Sequence, residues 1–426
     1  MTKSRIRNKQ NAECTKVLEI EIPLEAVNRA REEIYKEIKK IAKVPGFRVG
    51  QAPQDILEKH HSKDAEEEVL KKLIPDGYKK AVEFHKITPV GSPEIEKVTF
   101  EKGKTLTYEA TVEIKPAIRL KGYKGLKITK RKSPVTEAEV DQAVLRLRDF
   151  YAKYNDVERS VGKNDYAICD VEAFIENKAI SKNTKDMWVQ ANKEASLLGI
   201  GEELVGLAKG QTKEINVKLP ENYPDKKYAG KDAKFKVSVK SVKEKELPKI
   251  DENFAKTLNK ENLNALKEEI RTQLVAKKES AEKIHMENQI LEKLLKEHKF
   301  PVPENIVKRQ KEYLEKRLRQ ELSRNGVSTE EINERLKKAD NELAMDAVNK
   351  VRVYFLLDEI ALKDGVSVTA KDLEKRIAEI SQSAGRPEKE IKENYEKEGL
   401  LNGLVEEIKE TKTLEMLLKE AKITEA

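Results

Sequence analysis

Proline placement constrains this chain more than any other single feature. A proline fixes φ and lacks an N–H, so it kinks or breaks helix interiors and within sheets is confined to edges, strand starts and bulges. Of the 14 prolines, eleven lie at or before Pro248, two are Pro301 and Pro303, and the last is Pro387. Between Pro303 and Pro387 no such breaker interrupts a long, charged, apolar-periodic pattern. The first 248 residues therefore read as mixed helix and strand, and the remainder as helical. A length of 426 residues fits about three domains, so the fold class is multidomain α+β.

In KVLEIEIP, Leu18, Ile20 and Ile22 alternate with Glu19 and Glu21, the period of a half-exposed strand. A helix is predicted from about Leu24 to Ala42, because Leu24, Val27, Ala30, Ile34, Ile38 and Ile41 recur at intervals of three and four. Pro45-Gly46 ends it. Two further helices, Pro53 to Leu57 and Ala65 to His85, precede a returning strand in TLTYEATVEI. This α+β unit, with an antiparallel sheet, closes near Pro116 and sets a first domain over residues 1–116. Residues 117–158 form an extended connector and a linker helix expected to pack on the C-terminal domain; Thr136 and Glu139 give that helix a capping box. Strands in AICDVEAFI, TKEINVKLP and AKFKVSVKSV place a small β-rich domain at 159–245. Residues 246–426 are all-α: one helix over 262–296, a second from Glu304 to the Asn325-Gly326 stop, a third from Ser328 to Asp364-Gly365, then two or three shorter ones.

Several chemistries are excluded by the pattern. The 85 basic and 77 acidic residues leave a net charge of +8, interspersed along the chain rather than gathered as a phosphate-binding face requires. No run of 18 apolar residues occurs, and no apolar segment follows the basic MTKSRIRNKQ as a secretory signal would need. Cys14 and Cys169 lie far apart in strand-like stretches, which favours free thiols and a cytoplasmic setting. Adjacent His60 and His61 point to different faces of a helix, and Gly199-Ile-Gly201 lacks the third glycine of a dinucleotide loop. Without a P-loop, HExxH or GxSxG motif, neither a cofactor nor a metal is expected.

The stretch VPGFRVGQAP at 44–53 stands apart. From Ile38 to Gln54, 17 residues pass without an acid while Lys39, Lys40, Lys43 and Arg48 accumulate, around a Phe-Arg flanked by glycines. That pattern suits docking to an anionic surface, with Phe47 as apolar anchor and Arg48 as a clamp for phosphate or carboxylate.

GFRVGQAP at 46–53 resembles the GFRxGxxP signature of the bacterial trigger factor family of ribosome-associated chaperones. The resemblance extends over essentially the whole chain, through a KGYKGLKI connector, the KVSVKSVKEKELPKIDENFAK segment and the helical FPVPENIVKRQ segment. It implies an N-terminal α+β ribosome-binding domain, a central FKBP-like prolyl isomerase domain and a C-terminal helical domain with extended arms. It also implies docking beside the ribosomal tunnel exit, on a tunnel-rim protein and rRNA, through Phe47 and Arg48, with Gly46, Gly50 and Pro53 shaping the loop. Val49 stands where the family has a lysine, a loss for which Lys43, Lys40 and Lys39 can compensate. In the central domain, Val171, Ile180 and Ile200 hold positions where aromatic pocket walls are expected; Ser181 replaces an acid and Ala173 a glycine. Tyr223 and Phe235 remain from the pocket wall, and Trp188, in an insert, is the one ring that could substitute. The function implied is an ATP-independent chaperone that shields nascent polypeptides at the tunnel exit. The alternative is a peptidyl-prolyl cis/trans isomerase acting on folding chains, which the thin pocket disfavours. The 178 residues from Lys249 onward hold only six aromatics, so client contacts are expected to be small and scattered. Leu343, Met345, Val348, Tyr354 and Phe355 are the candidates, in the longest helix. Whether the free protein forms a homodimer stays open.

Overall fold

The computed structural model describes residues 2–8, 13–42, 45, 47–101, 103–175, 178–179, 184–192, 199–219, 228 and 230–425. In chain order the first elements are β1 (Lys3–Asn8), β2 (Thr15–Ile22), α1 (Leu24–Ile41), α2 (Gln54–His85), β3 (Glu94–Thr99) and β4 (Leu106–Glu113). Next come β5 (Lys127–Lys130), α3 (Glu137–Phe150), β6 (Lys153–Val157), β7 (Tyr166–Ile175), β8 (Lys178–Ala179), β9 (Thr184–Gln190), β10 (Thr212–Lys218) and β11 (Asp232–Glu246). The remainder is α4 (Glu252–Thr257), α5 (Leu263–Glu297), α6 (Glu304–Arg324), α7 (Thr329–Asp364), α8 (Ala370–Ala384), α9 (Glu388–Lys397), α10 (Leu401–Glu420) and β12 (Lys422–Glu425). The order is thus an α+β segment, a β-rich segment and a helical segment, as the proline distribution predicts. No helix among the described residues is long and apolar enough to cross a membrane.

By internal packing the chain divides into two compact units, one of residues 1–126, 289–316 and 340–422, the other of residues 127–288, 317–339 and 423–426. In the first, an antiparallel sheet runs in the order β1-β2-β4-β3. Leu18 lies opposite Ala110, Ile20 opposite Tyr108 and Ile22 opposite Leu106, so one face of the sheet is apolar and all six are buried. Helices α1 and α2 cover that face with Val27, Ala30, Ile34, Leu57, Val69 and Leu73. Burial of each large aliphatic side chain contributes about 1.5–3 kcal/mol. Between the helices Glu33 pairs with Lys72 at 2.6 Å, both about half exposed and worth little by comparison, and the mostly buried Arg31 lies 3.8 Å from Glu66. Gly77 is where α2 meets the sheet: a Cβ there would stand 2.7 Å from the Tyr108 hydroxyl and 2.9 Å from Ile22 Cδ1. That hydroxyl donates to the Ile74 carbonyl at 2.8 Å.

Buried polar contacts tie distant segments of this unit together. Glu113, nearly inaccessible, accepts from the Asn305 N–H at 2.6 Å, a carboxylate on the first turn of α6 where the helix dipole favours it. His298, also buried, lies 2.9 Å from the Leu294 carbonyl through Nδ1 and accepts the Lys121 N–H through Nε2 at 3.0 Å. In α8 to α10, Ile377, Ile391, Leu404 and Ile408 make a separate small core.

The second unit is built on the sheet β10-β11-β7-β8, with β6 added on β11 and β9 on β7. Along β7 every second residue is buried, and Ala167, Cys169, Val171, Ala173 and Ile175 face the core with Ile215, Phe235, Val237 and Val242. Strand β6 falls within the stretch read as connector, yet it hydrogen-bonds to β11 from Val157 to Lys153. The capping box of α3 forms as expected, Thr136 accepting the Glu139 N–H and Glu139 reaching back to the Thr136 N–H. The buried face of α3, Val140 and Val144, packs on Phe254, Leu266 and Ile270 of α4 and α5. Near the start of the sheet Asp165, buried, is gripped by the Arg159 guanidinium and accepts the Gly162 N–H at 2.7 Å.

The two helices expected over 53–85 are both present: α2 is broken by a kink at His61 (φ −126°, ψ 24°), where the ring meets Asp64 at 3.0 Å. Ile41, expected on the apolar stripe of α1, is 78% exposed, while Ile38 and Ala42 on either side of it still pack against the core. Strands β1 and β3 carry too few apolar residues to be legible in the sequence; pairing with β2 and β4 makes them.

Two outcomes follow. Gly77→Ala is expected to destabilise the N-terminal unit by about 1–3 kcal/mol, measured by urea unfolding, and Tyr108→Phe in the same chain to recover part of that loss by removing the crowded hydroxyl. Burial raises the Asp165 carboxyl, but the Arg159 and Gly162 hydrogen bonds outweigh it, so its pKa lies below the usual range. Its stabilisation is therefore full above the unfolded carboxylate range, near pH ~4, and is lost as pH falls through the depressed value. Asp165→Asn is expected to cost roughly 1–3 kcal/mol at neutral pH, with the gap from the parent protein narrowing as pH falls below ~4.

Candidate functional site

The loop between α1 and α2 starts from Ala42, whose N–H still bonds the Ile38 carbonyl at 2.7 Å, and ends at Pro53, whose carbonyl accepts from Ile56 and Leu57 at 3.2 and 3.1 Å. Its returning side is anchored by Ala52 and, a turn into α2, by Leu57, at 4% and 1% exposure. At the tip the Gln51 N–H bonds the Arg48 carbonyl at 2.9 Å, closing a turn over Val49 and Gly50. Gly50 has φ 86° at the third turn position, where a side chain would be strained. Phe47 is 42% exposed, Val49 48%, and Arg48 is open to solvent. Pro53 is exposed at the start of α2, while Lys43 and Gly46 lie outside the described residues.

Lys39 and Lys40 are exposed on the last turn of α1, and among the described residues neither they nor Arg48 makes an ion pair. The loop thus offers solvent an aromatic ring, a guanidinium and a small apolar area, with cations at its base that are not already spent. Sequence reasoning missed Ile41, which adds a third exposed apolar side chain beside Phe47 and Val49; its position next to the last lysines of α1 was the available signal.

In the central sheet, Phe235, Val171 and Ile200 are all buried within one core cluster, at 1%, 4% and 0% exposure. They pack against each other's neighbours rather than presenting surface. Ala173 is buried with them, and Ile180, Ser181 and Tyr223 lie outside the described residues. Trp188 is not in this cluster. It sits on β9 opposite Ile168, on the other face of the sheet from Val171, and is 48% exposed. Cys169 in the same core has its thiol pushed up to about 12 by burial, aided by Asp170, which leaves it unreactive at neutral pH.

Of the five residues singled out in the long helix α7, Leu343 and Phe355 are buried and act as packing residues, a correction to their reading as client contacts. Val348 and Tyr354 are half-buried, Tyr354 with its ring 5.1 Å from that of Phe355. Met345 alone of the five is well exposed, at 67%. A dense apolar stretch in a sequence marks the inside of a helix pair as readily as a client surface. His61 is engaged with Asp64, and among the described residues no group of three potential metal ligands comes together.

The sequence profile of bacterial trigger factor protein (TF) matches residues 4–147, and that of the trigger factor C-terminus matches residues 262–419. A trigger factor of Syntrophus aciditrophicus is 34% identical over 371 residues, covering 86% of this chain and 84% of that protein. Those of Desulforamulus reducens and Pelotomaculum thermopropionicum are 30% and 31% identical, each over 419 residues and 96% of both chains. A solved trigger factor chaperone aligns with 98% of this chain at 22% identity and a TM-score of 0.44. The chain belongs to the bacterial trigger factor family.

Proposed function

We propose that this protein is a ribosome-associated chaperone of the cytoplasm that docks by its α1–α2 loop at the tunnel exit and shelters emerging polypeptides. The observation that carries this reading is the Phe47-Arg48 tip, held out of the N-terminal core on a tight turn while Ala52 and Leu57 are buried behind it. A ring and a guanidinium side by side suit a mixed surface of protein and rRNA, the ring entering a pocket and the cation meeting phosphate. Val49, in place of a lysine, shifts the contact toward apolar area and away from charge. Lys39, Lys40 and Lys43 supply the remaining cations. Holding a nascent chain through small, reversible apolar contacts lowers the concentration of aggregation-prone segments and needs no nucleotide. Of the candidate residues in α7, Met345 is the one whose exposure supports client contact.

Catalysis of prolyl isomerisation is the weaker reading. Isomerases of the FKBP type need an aromatic-walled pocket for the proline ring, and the positions carried over from the family, Val171, Ile200 and Phe235, support a filled core instead.

Co-sedimentation with ribosomes tests the docking reading. Phe47→Ala with Arg48→Ala is expected to weaken pelleting by about tenfold or more, and Val49→Lys to steepen the dependence of log affinity on log salt by roughly 0.7–0.9. Undiminished pelleting of the double variant overturns the assignment. A proline-limited refolding assay with the full chain is expected to retain a slow phase of about tens of seconds at room temperature; its abolition by catalytic amounts of protein would restore the isomerase reading.

A further inference from the structure

The outer face of the central sheet carries three aromatic rings that neither the loop nor the core uses. Alternation along β7 turns Cys169 and Val171 inward and Tyr166 and Ile168 outward. The register sets Trp188 of β9 opposite Ile168, Lys243 of β11 opposite Tyr166, and Lys245 opposite Tyr154 of β6. The rings touch edge to face or tilted: Tyr154 and Tyr166 have centroids 5.1 Å apart, Tyr154 and Trp188 5.4 Å, Tyr166 and Trp188 6.0 Å. Lys243 Nζ lies 5.7 Å from the centre of the Trp188 ring. Cross-strand packing explains the contacts among the rings. It does not explain why the chain's one tryptophan, in a protein with 5% aromatics, leaves 48% of its surface in water.

The charges around the rings narrow what could cover them. Lys243 pairs with Asp156 at 2.9 Å, Lys245 with Asp149 at 2.5 Å, and Lys240 with Asp170 and Asp186 at 2.8 Å each. With its cations matched by carboxylates, the face has no surplus charge to draw a polyanion, whose binding depends on releasing counterions from phosphates. It offers flat rings and, from indole and phenol, hydrogen-bond donors. An extended polyproline-type segment meets both: its pyrrolidine rings lie against aromatic faces, its carbonyls are not bonded internally, and little conformational entropy is lost on docking.

We propose that Trp188, Tyr166 and Tyr154 form a docking surface for neutral, proline-bearing, extended segments of unfolded chains, on the face of the sheet opposite Val171 and Phe235. Such a surface holds a proline segment without twisting its amide, so it adds retention rather than isomerisation. The inference rests on the chaperone reading for the source of such segments, and it is separable from ribosome docking because the tip residues are not involved.

The test uses the full chain and a fluorescein-labelled proline-rich peptide lacking charged and aromatic residues, with Gly/Ser and polyglutamate peptides of equal length as controls. Saturable binding of the proline-rich peptide is expected, together with a change in Trp188 emission on adding unlabelled peptide. Tyr154→Ala and Trp188→Leu, the latter keeping an apolar side chain on the strand, are each expected to weaken it about tenfold. Circular dichroism confirms that both variants stay folded, and ribosome pelleting of Trp188→Leu is expected to match the parent, so that a failure here is distinct from a failure of docking. No saturable binding, equal binding of the Gly/Ser peptide, preference for polyglutamate, or undiminished affinity in the folded Trp188→Leu protein overturns the proposal.

Discussion

The packing of α1 and α2 on the apolar face of the N-terminal sheet is the constraint on which the candidate docking loop depends. Leu57 and Ala52 are buried on one side of the loop and Ile34 and Tyr35 on the other, so both ends of the segment are fixed by the same core. Among the described residues between them, Ile41, Phe47, Arg48 and Val49 are exposed. A tight turn at Gly50 leaves Phe47, Arg48 and Val49 in solvent. An exposed Phe is ordinarily unfavourable for a free protein, which fits a tip kept for contact with a partner.

Much of this scaffold was legible in the sequence because its signals are local. The alternation of KVLEIEI, the three-and-four spacing of α1 and the Thr136–Glu139 box each follow from a few adjacent residues. What was illegible depends on partners far along the chain. Strands β1 and β3 are strands because β2 and β4 pair with them, and β6 joins the central sheet through residues 242–246. The candidate site divides the same way. The tip could be read from glycines and missing acids, whereas the burial of Leu343 and Phe355 could not be read from an apolar run. Likewise Tyr154, Tyr166 and Trp188 meet only when three strands come into register.

The two faces of the central sheet differ in what they leave to solvent. One face is sealed by aliphatic side chains around Phe235, with the Cys169 thiol kept protonated by burial. The other leaves Trp188 about half exposed beside the half-buried Tyr154 and Tyr166, among matched charges. A surface of this kind retains a chain weakly and releases it readily, which is what a transient guardian of unfolded segments requires.

The central claim is that the loop tip, and not another surface, touches the ribosome. Replacing Phe47 with a photo-crosslinking phenylalanine analogue and irradiating the protein on ribosomes tests it most directly. The expected product joins this chain to a large-subunit protein at the rim of the exit tunnel. A crosslink only within the chain itself, or none while the protein still pellets with ribosomes, would contradict the account.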